Sequence, residues 1–321
     1  MKIAAPCKIN LHLEVRDLRS DGYHALESLF VTLGFGDDLL FTPADRAGDC
    51  AVSMDWSFLQ ESGRYPRAAP ALPLEKNSVY QAVSLFKRRV GFSPSPRFSS
   101  FSTGVAVAVK KRIPAGSGLG GGSSDAASAL TAMNLLSGQR AGQKEMEEMA
   151  LELGSDVPFF LLGGGAAWVS GRGERISPVA FPRDISVLLV CPNFPSDTGA
   201  AFRLVDKDRT ARPVPPRRDT ESLIRGIACH PRTWNYENDF LGAFLHAPDY
   251  PHAASYRAAL SALAGAGADF AGLSGSGSSC FGVFTDTKAA FEAEEALTRQ
   301  KWAAWLTFPL ARFSHRVLEY D

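Results

Sequence analysis

Three places in the 321-residue sequence carry residue types that could do chemistry together: Lys8, Asp156 and, between them, the segment Pro114–Ala127, which reads PAGSGLGGGSSDAA. Gly116, Gly118, Gly120, Gly121 and Gly122 of that segment let backbone N–H groups converge with no Cβ in the way. A helix beginning at Ser123 or Ser124 would add the unpaired donors of its first turn and the positive end of its dipole. The segment reads as a cradle for a phosphate group.

Two better-known glycine motifs fit less well. The GxxxxGK[ST] loop of nucleoside triphosphatases needs a lysine before its hydroxyl residue, whereas Gly122 is followed by Ser123 and Ser124. Gly116, Gly118 and Gly121 satisfy GxGxxG, but the dinucleotide fingerprint needs its first glycine at a strand end and an acidic residue about 20 positions on. The expected strand Val105–Val109 stops short of Gly116, and Gln139–Glu145 reads as a turn and a helix start. A flexible surface turn is the plain alternative; the two serines, Asp125 and the small apolar run Ala126–Met133 argue against a linker.

Lys8 and Asp156 each have an ordinary explanation. A lysine in a strand usually extends to solvent, and an aspartate before Val157-Pro158 usually caps the next helix. The chemical alternative is that they meet, the lysine orienting the carboxylate and offsetting charge on a transferring phosphoryl group. Sequence spacing leaves both readings open.

These residues need elements to hold them. Ile9, Leu11, Leu13 and Val15 alternate with polar residues as in a half-buried strand. A turn at Ser20-Asp21-Gly22 follows, then apolar segments Leu26–Leu33 and Asp38–Phe41 broken by Gly34 and Gly36, and a short strand Ala51–Met54. Val79, Val83, Phe86 and Val90 mark a helix face, and Lys144–Leu153 is a helix closed by Gly154. Further strands are expected at Ile185–Val190, Phe270–Leu273 and Cys280–Thr285, with helices over Asn238–Leu245, Ala253–Leu263 and Ala289–Gln300. The proline-rich stretches Ser62–Pro73 and Thr210–Arg218 read as irregular excursions.

Composition excludes several function classes. Basic and acidic residues balance at 34 each, so no global field favours nucleic acid or an anionic membrane, and anion recognition must be local. Five scattered cysteines with no CxxC pair suggest free thiols of a reducing compartment. With no apolar run of membrane-spanning length, a cytoplasmic protein without membrane partners is expected. The 45% hydrophobic content suffices for two domains.

Pro6–Asn10 with Asp21–His24, the Pro114–Ala127 loop, Leu153–Phe159 and Gly272–Phe284 follow one another in the order and wording of the GHMP kinase superfamily, which the chain resembles over most of its length. The resemblance implies an α+β, two-domain GHMP kinase fold. Its N-terminal ribosomal-protein-S5-domain-2-like, ATP-binding domain would span 1–170, and its C-terminal ferredoxin-like domain 171–321. It further implies ATP and Mg2+ as cofactors, with metal ligands unspecified, and a monomer or weak homodimer. Pro-x-Lys-Ile-Asn-Leu combined with Asp-Gly-Tyr-His resembles the branch that phosphorylates an alcohol carrying a cytidyl diphosphate in isoprenoid precursor synthesis.

On that resemblance Asp156 is the base that takes the proton of the substrate's 2-hydroxyl, and Lys8 is its partner. Asn10 contacts the hydroxyl and phosphate region. Tyr23 and His24 hold the cytosine, and Thr198 and Phe202 form a second substrate-side segment, with Phe202 as an opposite wall. Asn77, with Ser78, stands near the adenine. Pro114, Gly116, Gly118, Leu119, Gly120, Gly121, Gly122, Ser123 and Ser124 bind the nucleotide, and Gly275, Ser276 and Gly277 close the site from the second domain. A GHMP kinase for homoserine, mevalonate or a sugar is one rival. A non-catalytic ligand sensor is another, although such a protein would tend to lose the base or the lysine.

Overall fold

The structure, a computed structural model, describes all residues except 21, 45–48, 62–72, 164, 213–217, 312–316 and 320–321. Asp21, nearly all of the Ser62–Pro73 excursion and the centre of Thr210–Arg218 thus lie outside the described residues. Two sheets organise the rest. The first joins β1 (Lys2–Leu18), β2 (His24–Pro43), β3 (Asp49–Asp55), β4 (Gly104–Lys110), β5 (Ala166–Gly171), β6 (Arg175–Pro178) and, from the far end of the chain, Val317–Glu319. The second is four-stranded and antiparallel: β7 (Ser186–Val190), β8 (Phe270–Leu273), β9 (Cys280–Phe284) and β10 (Ala304–Thr307). Its spatial order β10-β7-β9-β8 is that of a ferredoxin-like sheet.

Helices α1 (Ser57–Glu61), α2 (Ser78–Val90), α3 (Gly121–Leu136), α4 (Gln143–Leu153) and α5 (Val157–Leu161) belong to the first half of the chain. All but α1 contribute to a core with the face of the first sheet that carries Phe30, Leu39, Phe41, Val107 and Val109. Helices α6 (Thr198–Ala211), α7 (Thr220–Gly226), α8 (Asp239–His246), α9 (Ala253–Gly265) and α10 (Thr287–Arg299) follow in the second half. The period-two pattern of β7 explains how the halves join. Val187 and Leu189 face a core shared with Ile9, Leu29 and Val31 of the first sheet, while Leu188 and Val190 face the core formed with α9 and α10. Among the described residues, no helix is long and apolar enough to cross a membrane, and all five cysteines are free thiols.

Three expectations need correction. β2 is one strand of 20 residues and not two segments, because its register against β1 shifts between Pro6 and Cys7 and absorbs Gly34 and Phe35 as extra residues. The helix after the glycine loop starts at Gly121 and not at Ser123 or Ser124, since Gly120, with φ of 72°, occupies the N-cap position. Thr210, read as part of an irregular stretch, still belongs to α6.

Candidate active site

The register shift in β1 decides where its lysine goes. Ile3 and Ala5 point to the helix-covered core, and beyond the shift Cys7, Ile9 and Leu11 point to the core shared by the two sheets. Lys8 and Asn10 are thereby turned to the helical side. Lys8 does not extend to solvent; it is 3% exposed, with its ammonium 4.5 Å from the centre of the Phe30 ring. The ammonium donates to Asn10 Oδ1 and stands 3.4 Å from Asp156 Oδ2. Asn10 is held in turn, since its Nδ2 donates to Ser28 Oγ at 2.9 Å and Ser28 donates to the His12 carbonyl at 2.5 Å.

Asp156 stands at the N-cap position of α5 yet caps nothing, for its side chain makes no bond to the helix's first turn. With 31% side-chain exposure it is reachable, while the lysine beside it is closed in. The buried ammonium is thus fixed between an amide oxygen, an aromatic face and a carboxylate open to solvent.

The glycine loop lies against this pair. Its carbonyls are taken by four outside donors: Ser196 N on Gly116, Ser279 N on Ser117, Ser274 Oγ on Gly118 and Lys8 N on Leu119, all at 2.9–3.0 Å. Among the described residues, the N–H groups of Gly118 to Ser123 have no hydrogen-bond partner. Acceptors tied back and donors left free, at the start of a 16-residue helix, make a site for an anion. Gly118 must be glycine: its φ is 78°, and a Cβ would lie 2.2 Å from the Ser274 carbonyl oxygen. Pro114 and Leu119 are buried, Gly121 and Gly122 open α3, and Ser124 Oγ is buried with no hydrogen-bond partner among the described residues.

A buried charge cluster anchors both ends of this loop. Asp37 Oδ1 accepts the N–H groups of Arg112 (2.5 Å) and Ile113 (2.8 Å), just before the loop. Lys111 binds Asp37 Oδ2 and, at 2.7 Å, Asp125 Oδ2 in the second turn of α3. Burial alone would lower the Lys111 pKa, but the Asp125 and Asp37 carboxylates overcome it and push it up. Burial, opposed by Lys111 and reinforced by Asp37, pushes the Asp125 pKa up to about 7.

A stability effect of definite sign follows. The folded state holds the Asp125 proton more tightly than the unfolded chain, whose carboxylate titrates near 4. The stabilisation is complete below about pH 4 and is lost as pH rises through about 7. The stability of the protein relative to an Asp125→Asn variant should therefore fall between pH 5 and pH 8, by about 1.4 kcal/mol for each tenfold difference in proton affinity. Urea midpoints at the two pH values measure this; a constant difference would mean that Asp125 does not titrate in that window.

The remaining expected residues fall into two groups. Gly275 adjoins the Lys8 pair, because a Cβ on it would lie 3.3 Å from Asn10 Oδ1. Asn238 Nδ2 supports this turn by donating to the Leu273 and Gly275 carbonyls, both at 2.9 Å. Ser276 Oγ lies 3.0 Å from Thr198 Oγ1, and the Gly277 N–H closes the turn on Ser274. Asn77 and Ser78 also lie at the loop: a Cβ on Gly122 would be 3.6 Å from Ser78 Oγ. Asn77 Oδ1, however, is engaged in capping α2 through the N–H groups of Val79 and Tyr80.

The aromatic group lies at the other end. Phe202 is stacked on His24 itself, with centroids 5.3 Å apart and planes 7° from parallel, and His24 also reaches the Arg16 carbonyl and Asp206. Tyr23 is 54% exposed.

Sequence reasoning missed Ser28, Phe30, Asn238, Ser274 and the Lys111–Asp37–Asp125 cluster. Each is a common residue type within an ordinary strand, helix or turn, and none carried a spacing signal.

The chain is similar to known proteins over most of its length. Residues 77–164 match the family description GHMP kinases N terminal domain, and residues 235–304 match GHMP kinases C terminal. The 4-diphosphocytidyl-2-C-methyl-D-erythritol kinase of Anaeromyxobacter dehalogenans (strain 2CP-C) is 38% identical over 91% of this chain and 83% of its own. The protein of the same name from Prosthecochloris aestuarii is 32% identical over 93% of this chain and 94% of its own. A crystal structure of 4-(cytidine 5'-diphospho)-2C-methyl-D-erythritol kinase superposes with a TM-score of 0.74 at 31% identity, covering 97% of this chain and all of that one. Homoserine kinase from Cytophaga hutchinsonii, 18% identical with a TM-score of 0.63 over 98% of this chain and 96% of that one, shares the fold alone.

Proposed function

We propose a reaction from one premise: the chain belongs to the GHMP kinases and, within them, to the 4-diphosphocytidyl-2-C-methyl-D-erythritol kinase family. It transfers the terminal phosphoryl group of ATP to the 2-hydroxyl of 4-diphosphocytidyl-2-C-methyl-D-erythritol, giving the 2-phosphate and ADP, a step of isoprenoid precursor synthesis. The observation that carries this reading is the Lys8–Asp156 pair set against a loop whose carbonyls are tied back and whose amides are free.

Phosphoryl transfer asks a protein for positioning and charge neutralisation more than for covalent chemistry. The free N–H groups of Gly118 to Ser123 hold the phosphate oxygens. Asp156 accepts the hydroxyl proton as that oxygen bonds to the terminal phosphorus and the bond to the bridging oxygen of ADP breaks. Lys8 gives one of its three donors to Asn10 and pairs with Asp156 by charge at 3.4 Å; its ammonium also offsets charge that builds on the phosphoryl oxygens.

Among the described residues, no three His, Cys, Asp or Glu side chains are grouped to hold a metal. Mg2+ keeps much of its water and arrives on the triphosphate rather than in an all-protein cage. The Ser124 hydroxyl, buried without a partner among the described residues, is the oxygen donor this chain would offer it. When bound, the ion neutralises negative charge on the phosphates.

A coupled ADP-release assay tests the reaction. Turnover is expected with the cytidyl alcohol and not with homoserine or mevalonate, and CDP should inhibit competitively with the alcohol. Comparable kcat/KM on homoserine or mevalonate, or no inhibition by CDP, would reject the substrate.

A further inference from the structure

We propose that Arg172, at the tip of the β5–β6 hairpin, binds the diphosphate of the cytidyl substrate; the inference rests on the function proposed above. The tip is built to hold this side chain in one place. Gly171 turns the chain at φ of 73°, and the Glu174 carboxylate folds back on the hairpin to accept the Arg172 N–H at 2.5 Å. Gly173 lets the tip press on the segment before the reactive acid, for a Cβ there would lie 2.5 Å from the carbonyl oxygen of Ser155. The hairpin is thus seated directly beside Asp156.

From that seat the guanidinium reaches Tyr23, with Cζ 3.8 Å from the ring centre. The ring fixes the orientation of the cation and leaves its N–H edges for other partners. Other arginines on this side of the molecule are paired: Arg16 with Glu14 and Arg209 with Asp239, both at 2.9 Å. Among the described residues no carboxylate pairs with the Arg172 guanidinium.

The substrate's own shape makes the assignment. On the family resemblance its cytosine end is held at Tyr23, His24 and Phe202, where the structure has an exposed ring beside a stacked pair, and its reacting hydroxyl at Asp156 and Lys8. In that pose the diphosphate that links the two ends lies between Tyr23, which the hairpin tip touches, and Asp156, which follows the Ser155 that the tip presses on. Lys8, bonded to Asn10 and paired with Asp156, serves the transferring phosphoryl group, so the substrate's own diphosphate needs another cation. A planar guanidinium suits phosphate oxygens by parallel hydrogen bonds.

Inhibition by CMP and CDP, measured on the wild type, Arg172→Ala and Arg172→Lys at saturating ATP, tests the assignment. The wild type should prefer CDP to CMP by about tenfold or more, as charge-assisted hydrogen bonds allow. Arg172→Ala should lose that preference and raise the KM for the cytidyl alcohol by a similar factor, with the KM for ATP unchanged; Arg172→Lys should retain part of both. Equal weakening of CMP and CDP in Arg172→Ala would overturn the proposal, because the arginine would then act only on the Tyr23 ring. Unaltered CDP binding in Arg172→Ala would overturn it as well. A wild type inhibited by neither nucleotide removes the cytidyl function itself, a result distinct from a lost CDP preference.

Discussion

Replacing Asp156 by asparagine should lower kcat by roughly 10²–10⁴, the usual span for loss of a positioned general base. The KM values for ATP and the cytidyl alcohol should move little. Asparagine keeps the shape of the side chain and an oxygen for Lys8, but it cannot take a proton at neutral pH. The fold should survive the change, because the carboxylate caps no helix and its ion pair with Lys8 is open to solvent on the aspartate side. Steady-state kinetics beside a thermal melt separate the two effects. A variant with wild-type kcat would show that the hydroxyl proton leaves by another route, to phosphate or to water. Parallel losses of kcat and Tm would instead make Asp156 a structural residue.

Replacing Lys111 by methionine should destabilise the protein by about 3–5 kcal/mol, the range for breaking a buried ion pair from one side. The side chains of Lys111, Asp37 and Asp125 are 5%, 0% and 2% exposed, so water cannot replace the lost ammonium. Two carboxylates would face each other in a low dielectric, and proton uptake by Asp125 would relieve only part of the repulsion. Such a loss is a large share of an ordinary domain's stability. Urea unfolding reads it directly. Adding Asp125→Asn to Lys111→Met should recover stability, since the second change removes one stranded charge. A loss under about 1 kcal/mol for Lys111→Met alone would mean that the cluster relaxes freely and does not hold the loop.

These two expectations differ in how far the sequence foretold them. Lys8 and Asp156 drew attention as residue types out of place, and the glycine loop announced an anion by composition alone, because free backbone amides at a helix start have few other uses. The alternation in β1 and the apolar faces of α2 and α10 were legible because a local period of 2 or 3.6 is written in neighbouring residues, and β7, β8 and β9 because short apolar runs bounded by turn residues are equally local. The Lys111–Asp37–Asp125 cluster was not. Its members lie on β2, at the end of β4 and in α3, and only the pairing of β2 with β4 brings Asp37 beside Lys111.

The start of α3 shows the limit at short range. A serine is the better cap by preference, yet Gly120 takes the position, because the left-handed turn there excludes a side chain: a Cβ would meet Phe160 and Lys8 at 3.0–3.1 Å. The aromatic end shows it at long range. The resemblance implied a role for Phe202 beside the cytosine, but that it stacks on His24 and packs edge-on to Phe240 is seen only in the fold.

The amino-acid sequence by itself determined the parts: a glycine-rich anion loop, a strand carrying a lysine, an acid after a helix and the periodic faces that bury most of the chain. Only the tertiary structure decided which face the lysine takes, since a register shift between Pro6 and Cys7 turns Lys8 from the inter-sheet core towards Asp156 and the loop. Local periodicity is blind to such a shift because it is fixed by pairing between strands, and pairing depends on residues far apart in the chain.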